Sequence, residues 1–378
     1  MVREIYFDSA STTKVYPQVI KEMNKCMLYD YGNPSSAHAL GDNASKLIVS
    51  ARTNIARVIG VKPHEIYFTS GTTESNNWIF SGLAHSNPGK KKIIISSIEH
   101  PSIRETANLF KNWGYQIIEI PVDSQGFVDL EFIKKNIGKD VLFVSVIHGN
   151  NIFGTIQNLK KIGDICKKNG VFFHTDAAQT FGKMKILAHD WNVDLLSASA
   201  HKLGGPKGVG FLYVRDGVKF SALIHGGGQE KGLRSGTENV AGIVGFAKAV
   251  EISLNKNWNE ILKIRDYLIK ELEGFGGKLV GSKSNRVLSN LFISFPKIEG
   301  ERLIYDLSAQ KIYVSRGSAC DSKKEIEDYA LKSIGLNSDE IKGAIRISLP
   351  VDTTKKDADY FLKVLKSLIN NLDLKGIK

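Results

Sequence analysis

Apolar strand-like runs alternate with amphipathic helical segments through the middle of this sequence, and this alternation constrains the fold more than any other feature. Strand-like runs occupy 92–97 and 141–146, and apolar residues recur at helical spacing over 102–113 and 159–168. Parallel strands need long crossover connections, and a helix between two strands supplies one. The pattern therefore predicts an α/β fold in which helices cover both faces of a mainly parallel sheet.

Polar side chains cluster where the predicted strands end. They occur at 99–100, at 148–151, at Asp176 and at 199–202, each directly after an apolar run. Because parallel strands end at one edge of their sheet, and open α/β sheets place their ligand crevice there, these four groups are expected to meet. One polar strand end means little, but four at the same edge predict a functional site.

One lysine and one aspartate at these strand ends match the needs of pyridoxal phosphate (PLP) chemistry. Lys202 lies on a turn before Gly204, and a lysine partly removed from water keeps a neutral fraction that can form a Schiff base. Asp176, 26 residues upstream, ends a buried strand and can hold a pyridine nitrogen protonated. Alone, Lys202 would be interpreted as a surface lysine; together with Asp176 it predicts a PLP site.

A candidate phosphate site follows the strand-like run at 65–70. Gly71 is followed by Thr72 and Thr73, which open the next helix. Free main-chain amides and the helix dipole both favour an anion at such a junction. Many junctions of this kind are only helix caps, so the pattern by itself leaves both interpretations open.

The chain resembles the fold-type I PLP enzymes of the class V aminotransferase group and, within it, the cysteine desulfurases of the NifS/IscS type. The resemblance rests on the Asp176 and Lys202 motifs, on the run 317–320 (Gly-Ser-Ala-Cys), and on similarity from Tyr6 to the last helix. It implies a seven-stranded, mainly parallel PLP-binding large domain and a smaller α+β domain. We divide the chain into an N-terminal segment that joins the small domain (1–20), the large domain (21–255) and the small C-terminal domain (256–378).

The resemblance also implies a role for each matching residue. Lys202 would form the Schiff base with PLP, His100 would stack on the cofactor ring and move protons, and Cys320 would take the sulfur. Asn151 and Arg346 would bind the substrate carboxylate. The residues expected to contact the cofactor are Thr72, Thr73, His100, Asn151, Asp176, Gln179, Ser199, His201, Lys202 and, across a homodimer, Thr237.

Cys320 lies in a small and polar stretch, 314–322, that predicts a mobile loop. A mobile thiolate could reach the substrate sulfur and then carry a persulfide outward to an acceptor. The resemblance gives L-cysteine as substrate, L-alanine as product, and a sulfur-accepting protein, such as an iron-sulfur scaffold, as partner. The sequence departs from the family pattern at Arg316, Asp321, Ile152 and Pro350, and the loss of a glutamate at Ile152 leaves the support of Asn151 open.

Composition limits the other possibilities. The formal net charge is +12, but the lysines are spread along the chain, so we expect no functional nucleic-acid binding. No apolar run reaches the roughly 20 residues of a membrane span, and the N-terminus lacks an apolar signal core, which favours a cytoplasmic protein without a membrane partner. Cys26 and Cys166 fit apolar helix faces, and three scattered cysteines predict no metal site.

Two alternatives to a cysteine desulfurase remain from the sequence. The first is another class V PLP enzyme, a selenocysteine lyase or an aminotransferase, which would not need Cys320. The second is a non-catalytic scaffold with the same fold, which would not need a bound cofactor.

Overall fold

The computed structural model describes residues 4–316 and 328–373, which form twelve strands and twelve α-helices. The strands are β1 (Ile5–Tyr6), β2 (Ile66–Thr69), β3 (Lys92–Ser96), β4 (Gln116–Ile120), β5 (Val141–Ser145), β6 (Phe172–Asp176), β7 (Leu195–Ser199), β8 (Gly210–Val214), β9 (Lys278–Leu279), β10 (Asn290–Ser294), β11 (Ile312–Tyr313) and β12 (Ala344–Ser348). The helices are α1 (Pro17–Tyr29), α2 (Ala39–Val58), α3 (Thr72–Ser86), α4 (Pro101–Asn112), α5 (Leu130–Asn136), α6 (Leu159–Lys168), α7 (Val240–Leu254), α8 (Trp258–Gly274), α9 (Gly300–Ala309), α10 (Asp328–Ser333), α11 (Ser338–Lys342) and α12 (Lys355–Asp373).

A seven-stranded sheet forms the centre of the molecule, in the order β2-β8-β7-β6-β5-β3-β4. Strand β8 is antiparallel to both of its neighbours, and every other pair is parallel, which confirms the predicted mainly parallel α/β sheet. Two reversals separate β2 from β7, so β2 ends at the same edge as the parallel strands. The residues that follow β2, β3, β5, β6 and β7 therefore meet at one edge.

Helices pack on both faces of this sheet because its strands are apolar on both sides. All five residues of β5 and of β7 are buried, as expected for a covered parallel sheet. On one face, Phe80 of α3 contacts Phe143 of β5 edge to face, with ring centroids 5.0 Å apart. On the other face, Phe246 of α7 packs against Phe211 of β8, with ring centroids 5.9 Å apart. The site at the sheet edge thus rests on a core packed from two sides.

A second apolar core surrounds the antiparallel sheet β12-β10-β9, with α8, α9 and α12 against it. The N-terminal segment joins this core, because β1 pairs in parallel with β11 and Phe7 packs against Phe361 of α12, with ring centroids 5.5 Å apart. The chain then returns to the large sheet. The domain boundaries after residues 20 and 255 stay predictions.

None of the helices in the described part of the chain combines the length and the apolar character needed to cross a membrane.

Candidate active site

A cavity of about 430 Å³ lies at the edge where the central strands end. Ten of the twelve residues that the sequence predicted for the site line it: Thr72, Thr73, His100, Asn151, Asp176, Gln179, Ser199, His201, Lys202 and Arg346. Thr237 is exposed and does not line this cavity. Cys320, with the part of its predicted mobile loop from 317 onward, lies outside the described residues.

Lys202 is positioned by a short 3-10 turn, Ala200–Lys202, that follows β7. Its Nζ donates hydrogen bonds to the carbonyl oxygens of Ala10 (2.7 Å) and Ser11 (2.8 Å) in the N-terminal segment. Gly204 lets the chain turn back, since its φ of +83° favours glycine and the ring of Tyr16 occupies the space that a Cβ would need. The N-terminal segment thus lies directly over the lysine.

Asp176 is the last residue of β6, and its side chain is 3% exposed. Its Oδ1 accepts from the main-chain amide of Ala178 (2.9 Å), and its Oδ2 accepts from Nδ2 of Asn76 (2.9 Å). A buried carboxylate held by two donors keeps one orientation towards the cavity. Such a group can pair with a protonated ring nitrogen.

His100 caps the N-terminus of α4, which begins with Pro101. Its Nδ1 accepts a hydrogen bond from the main-chain amide of Ser102 (3.1 Å) and lies 2.8 Å from the hydroxyl oxygen of that residue. The cap holds the ring at the cavity wall, because the first amides of a helix need acceptors. His100 is therefore part of the helix cap as well as of the cavity.

The start of α3 leaves polar groups available for an anion. The hydroxyl of Thr72 is buried without a hydrogen-bond partner among the described residues. Ser199 lies close by, since a Cβ on Gly71 would be 3.5 Å from its hydroxyl oxygen. Burial, and after it the positive charges of nearby lysines such as Lys202, lower the pKa of His201 to about 3. This ring is therefore neutral and can also donate a hydrogen bond. Free amides, hydroxyls and a helix N-terminus suit a phosphate group.

Arg346 reaches the cavity from β12 of the smaller sheet and is 1% exposed. Its guanidinium donates to Oδ1 of Asp8 (2.9 Å), to the hydroxyl of Ser11 (2.5 Å) and to the carbonyl oxygen of Asn151 (3.0 Å). Its Nε has no hydrogen-bond partner within the described part of the chain. The Arg346 guanidinium is thus buried next to the Asp8 carboxylate and keeps its Nε–H as a donor for a ligand.

The turn that carries Asn151 keeps its support although Ile152 replaces the family's glutamate. Oδ1 of Asn150 accepts from the amides of Ile152 (2.9 Å) and Phe153 (3.0 Å), and its Nδ2 donates to the carbonyl oxygen of Ile98 (3.1 Å). Ile152 and Phe153 are buried in an apolar cluster. The main chain of this turn is therefore held by Asn150 and by packing.

Two buried polar residues behind the cavity have roles that the sequence did not predict, although Glu99 was among the polar strand ends expected at this edge. Glu99 is 1% exposed, and its Oε1 accepts from the hydroxyl of Ser96 (2.6 Å) and from the amide of Ile147 (2.7 Å). Burial raises the pKa of Glu99 to about 8, and the negative charge of Asp176 contributes in the same direction. The second residue is Asn76, which was missed because a polar residue in a helix gives no signal of its distant partner.

These residues fit the PLP that the resemblance implies. An amine, a buried carboxylate and a helix N-terminus with an unpartnered hydroxyl correspond to the aldehyde, ring nitrogen and phosphate of that cofactor. These three groups come from the ends of three different strands, β7, β6 and β2, and still line one cavity.

Comparisons with known proteins agree with this arrangement. The family model described as aminotransferase class-V matches residues 5–361. The cysteine desulfurase IscS of Clostridium botulinum (strain Hall) is 42% identical over 377 residues, which covers 98% of this chain and 95% of the relative. A solved NifS-like protein aligns with a TM-score of 0.92 at 40% identity, covering 97% of this chain and all of the other. The structure titled SspA in complex with cysteine aligns with a TM-score of 0.83 at 33% identity, covering 93% of this chain and all of the other. The chain therefore belongs to the class-V aminotransferase family and, within it, to the cysteine desulfurases of the NifS/IscS type.

Proposed function

We propose that this protein is a PLP-dependent cysteine desulfurase that converts L-cysteine to L-alanine and transfers the sulfur to Cys320. The observation that carries the proposal is the single cavity that combines Lys202, Asp176, His100 and Arg346. An amine for the aldehyde, a carboxylate for the ring nitrogen, a proton carrier and a cation for the substrate carboxylate are the groups that this reaction needs.

The protein residues have distinct parts in holding the cofactor. Lys202 would bind its aldehyde, Asp176 its ring nitrogen and Gln179 its ring hydroxyl. Thr72, Thr73, Ser199 and His201, with Thr237 of a second subunit, would hold the phosphate. When bound, PLP supplies an electron sink that stabilises negative charge on the substrate carbon.

His100 would move the protons of the reaction at Nε2. A main-chain amide can only donate, so the bond from the amide of Ser102 requires Nδ1 to be an acceptor in the neutral ring. The proton of that ring is consequently on Nε2, the nitrogen that does not face Ser102. In this tautomer His100 presents a donor at Nε2; to accept a proton there, the ring would first carry its proton on Nδ1, which would then donate to the hydroxyl of Ser102.

Arg346 and Asn151 would bind the carboxylate of L-cysteine. Asp8 already pairs with one nitrogen of the guanidinium, so the substrate would compete with Asp8 or use Nε, which has no partner among the described residues. The planar guanidinium suits a bidentate bond to a carboxylate, whereas an ammonium does not. The paired Asp8 also limits the cost of burying Arg346 before substrate arrives.

Cys320 would act as the sulfur acceptor within the enzyme. Its thiolate would attack the substrate sulfur, the carbon–sulfur bond would break, and the persulfide would pass to an acceptor protein for iron-sulfur cluster assembly or other thiolation. The relatives carry the name IscS, and one solved neighbour is described with bound cysteine. We place the reaction in the cytoplasm.

A homodimer would complete the site through Thr237. We infer that the exposed apolar side chains on α1, on α2 and in the connection between them form one patch, and such a patch favours association. They are Ile20, Met27, Leu28, Tyr29, Tyr31, Leu40 and Val49. The exposed position of Thr237 allows it to reach a second subunit.

An absorbance spectrum recorded before and after the addition of L-cysteine, with alanine and sulfide measured in the same sample, tests the function. We expect a visible band from the lysine-bound cofactor, a shift on adding cysteine, and alanine in proportion to the sulfur released; Lys202→Ala should lose the band and the turnover. A protein without the band would be a non-catalytic scaffold. Alanine release that is unchanged in Cys320→Ala would instead indicate the other class V enzymes.

A further inference from the structure

The amide of Asn76 lies at the centre of a buried hydrogen-bond network behind the cavity. Its Nδ2 donates both to Oδ2 of Asp176 (2.9 Å) and to the hydroxyl oxygen of Ser102 (2.8 Å), and its Oδ1 accepts from the hydroxyl of Ser197 (2.6 Å). Asn76 and Ser197 are fully buried. The side chain therefore uses both amide hydrogens and its oxygen without any solvent contact.

The orientation of this amide follows from its partners. A carboxylate oxygen only accepts, so Nδ2 must face Asp176, and the second hydrogen of Nδ2 then points at Ser102. Because Ser102 accepts from Asn76, its own hydroxyl proton is available for Nδ1 of His100, 2.8 Å away. One amide thus contacts the carboxylate at the ring nitrogen directly and the proton carrier through a single hydroxyl.

The same amide sets the direction of a second branch. Ser197 donates to Oδ1 of Asn76, so it must accept from Nε2 of His174 (3.3 Å), and Nδ1 of His174 then accepts from the hydroxyl of Ser145 (2.9 Å). Burial lowers the pKa of His174 to about 3, which agrees with a neutral ring in one tautomer. Reversing the amide of Asn76 would reverse the donors along this branch.

We propose that Asn76 is a positioning residue that holds Asp176 and His100 in one mutual arrangement. It contacts neither substrate nor cofactor in this scheme and acts through Asp176 on one side and through Ser102 on the other. The inference rests on the proposed function for its effect on turnover, but its structural part concerns the protein alone. A buried network with every member satisfied specifies one geometry, whereas a partly satisfied one admits several.

The structural part is tested on the cofactor-free protein by nitrogen NMR of the histidine side chains. In the wild type, His174 should show one neutral tautomer with the proton on Nε2. In Asn76→Leu, the hydroxyl of Ser197 is released and both tautomers of His174 should be populated. Asn87→Leu, which removes an asparagine at the other end of α3, is the matched control and should resemble the wild type. An unchanged single tautomer in Asn76→Leu would overturn the proposal.

The functional part is tested by kinetics on the PLP-loaded enzyme. Asn76→Leu should lower kcat about tenfold, the effect of losing one hydrogen bond to a charged group. KM for cysteine should stay nearly constant, because Arg346 and Asn151 are outside the network. Should the leucine variant fail to fold, Ser102→Ala removes one arm of the network and should lower kcat in the same way. A change in KM alone, with kcat unchanged, would contradict the positioning role. A wild-type enzyme without any desulfurase activity would instead refute the proposed function and leave the NMR result standing.

Discussion

At the scale of single residues, Glu99 gives the protein a pH-dependent stability. Burial raises its pKa to about 8, whereas a glutamate in the unfolded chain has a pKa of about 4.3. Between these values the folded protein holds a proton that the unfolded chain has released. The contribution of this group to stability is therefore complete below about pH 4 and is lost as the pH rises towards 8.

Glu99→Gln removes this titration while keeping an oxygen that can accept from Ser96 and Ile147. We expect the free energy of unfolding of the variant, relative to the wild type, to increase from pH 5 to pH 8 by at most about 1.4 kcal/mol per pH unit. Urea denaturation at a series of pH values measures it. Glu131→Gln is the control, since Glu131 is exposed on α5. Parallel pH curves for Glu99→Gln and the wild type would contradict the assignment of the proton to Glu99.

At the scale of elements, the N-terminus of α3 is expected to serve the cofactor and not the fold. The hydroxyl of Thr72 is buried and has no hydrogen-bond partner among the described residues, so Thr72→Val removes no bond from the cofactor-free protein. The dissociation constant for PLP should rise about tenfold or more, because a hydrogen bond to a charged group is worth roughly 1.5–3 kcal/mol. Fluorescence titration with PLP and thermal unfolding of the cofactor-free protein measure the two effects.

A matched control for that experiment is Thr53→Val, in the exposed part of α2, where the hydroxyl donates to the carbonyl oxygen of Val49. This variant should leave PLP binding unchanged. If the cofactor-free Thr72→Val variant unfolds at a clearly lower temperature than the wild type and also binds PLP more weakly, Thr72 supports the fold instead.

The elements also explain how much the sequence could predict. Asp176, Lys202 and His100 were predictable because each directly follows an apolar run, and strand ends converge by the rules of parallel sheets. The hydrogen bond from Asn76 to Asp176 was not predictable, because the two residues are 100 positions apart and only the packing of the helix on the sheet brings them together. The arrangement of Arg346 with Asp8 was hidden for the same reason, and the burial that raises the pKa of Glu99 leaves no local pattern.

Residues 240–274 form two helices, α7 and α8, and not one continuous helix. The break falls at 255–257, where Asn255 ends α7 and Asn257 precedes α8. Asparagine competes with helical bonding through its side chain, so both positions favour a boundary over continuation.

At the scale of the whole molecule, the apolar patch on α1 and α2 predicts a dimer in solution. The mass from sedimentation equilibrium should be twice the 41.7 kDa of one chain. Leu28→Glu places a charge in the patch and should shift the protein towards the monomer, with weaker PLP retention if Thr237 acts across the dimer. Tyr305→Glu, at an exposed side chain of α9, is the control. A wild-type monomer that retains PLP fully would rule out the shared site.

Sulfur is predicted to leave L-cysteine through Cys320, and peptide mass spectrometry after brief incubation with L-cysteine tests this step most directly. The other two thiols are poor candidates, because Cys26 and Cys166 are buried and burial raises the pKa of each. A thiol with a raised pKa has little thiolate to attack sulfur. We predict one additional sulfur atom on the peptide that contains Cys320 and none on the peptides of Cys26 and Cys166. Added sulfur on Cys26 or Cys166 alone would contradict the account.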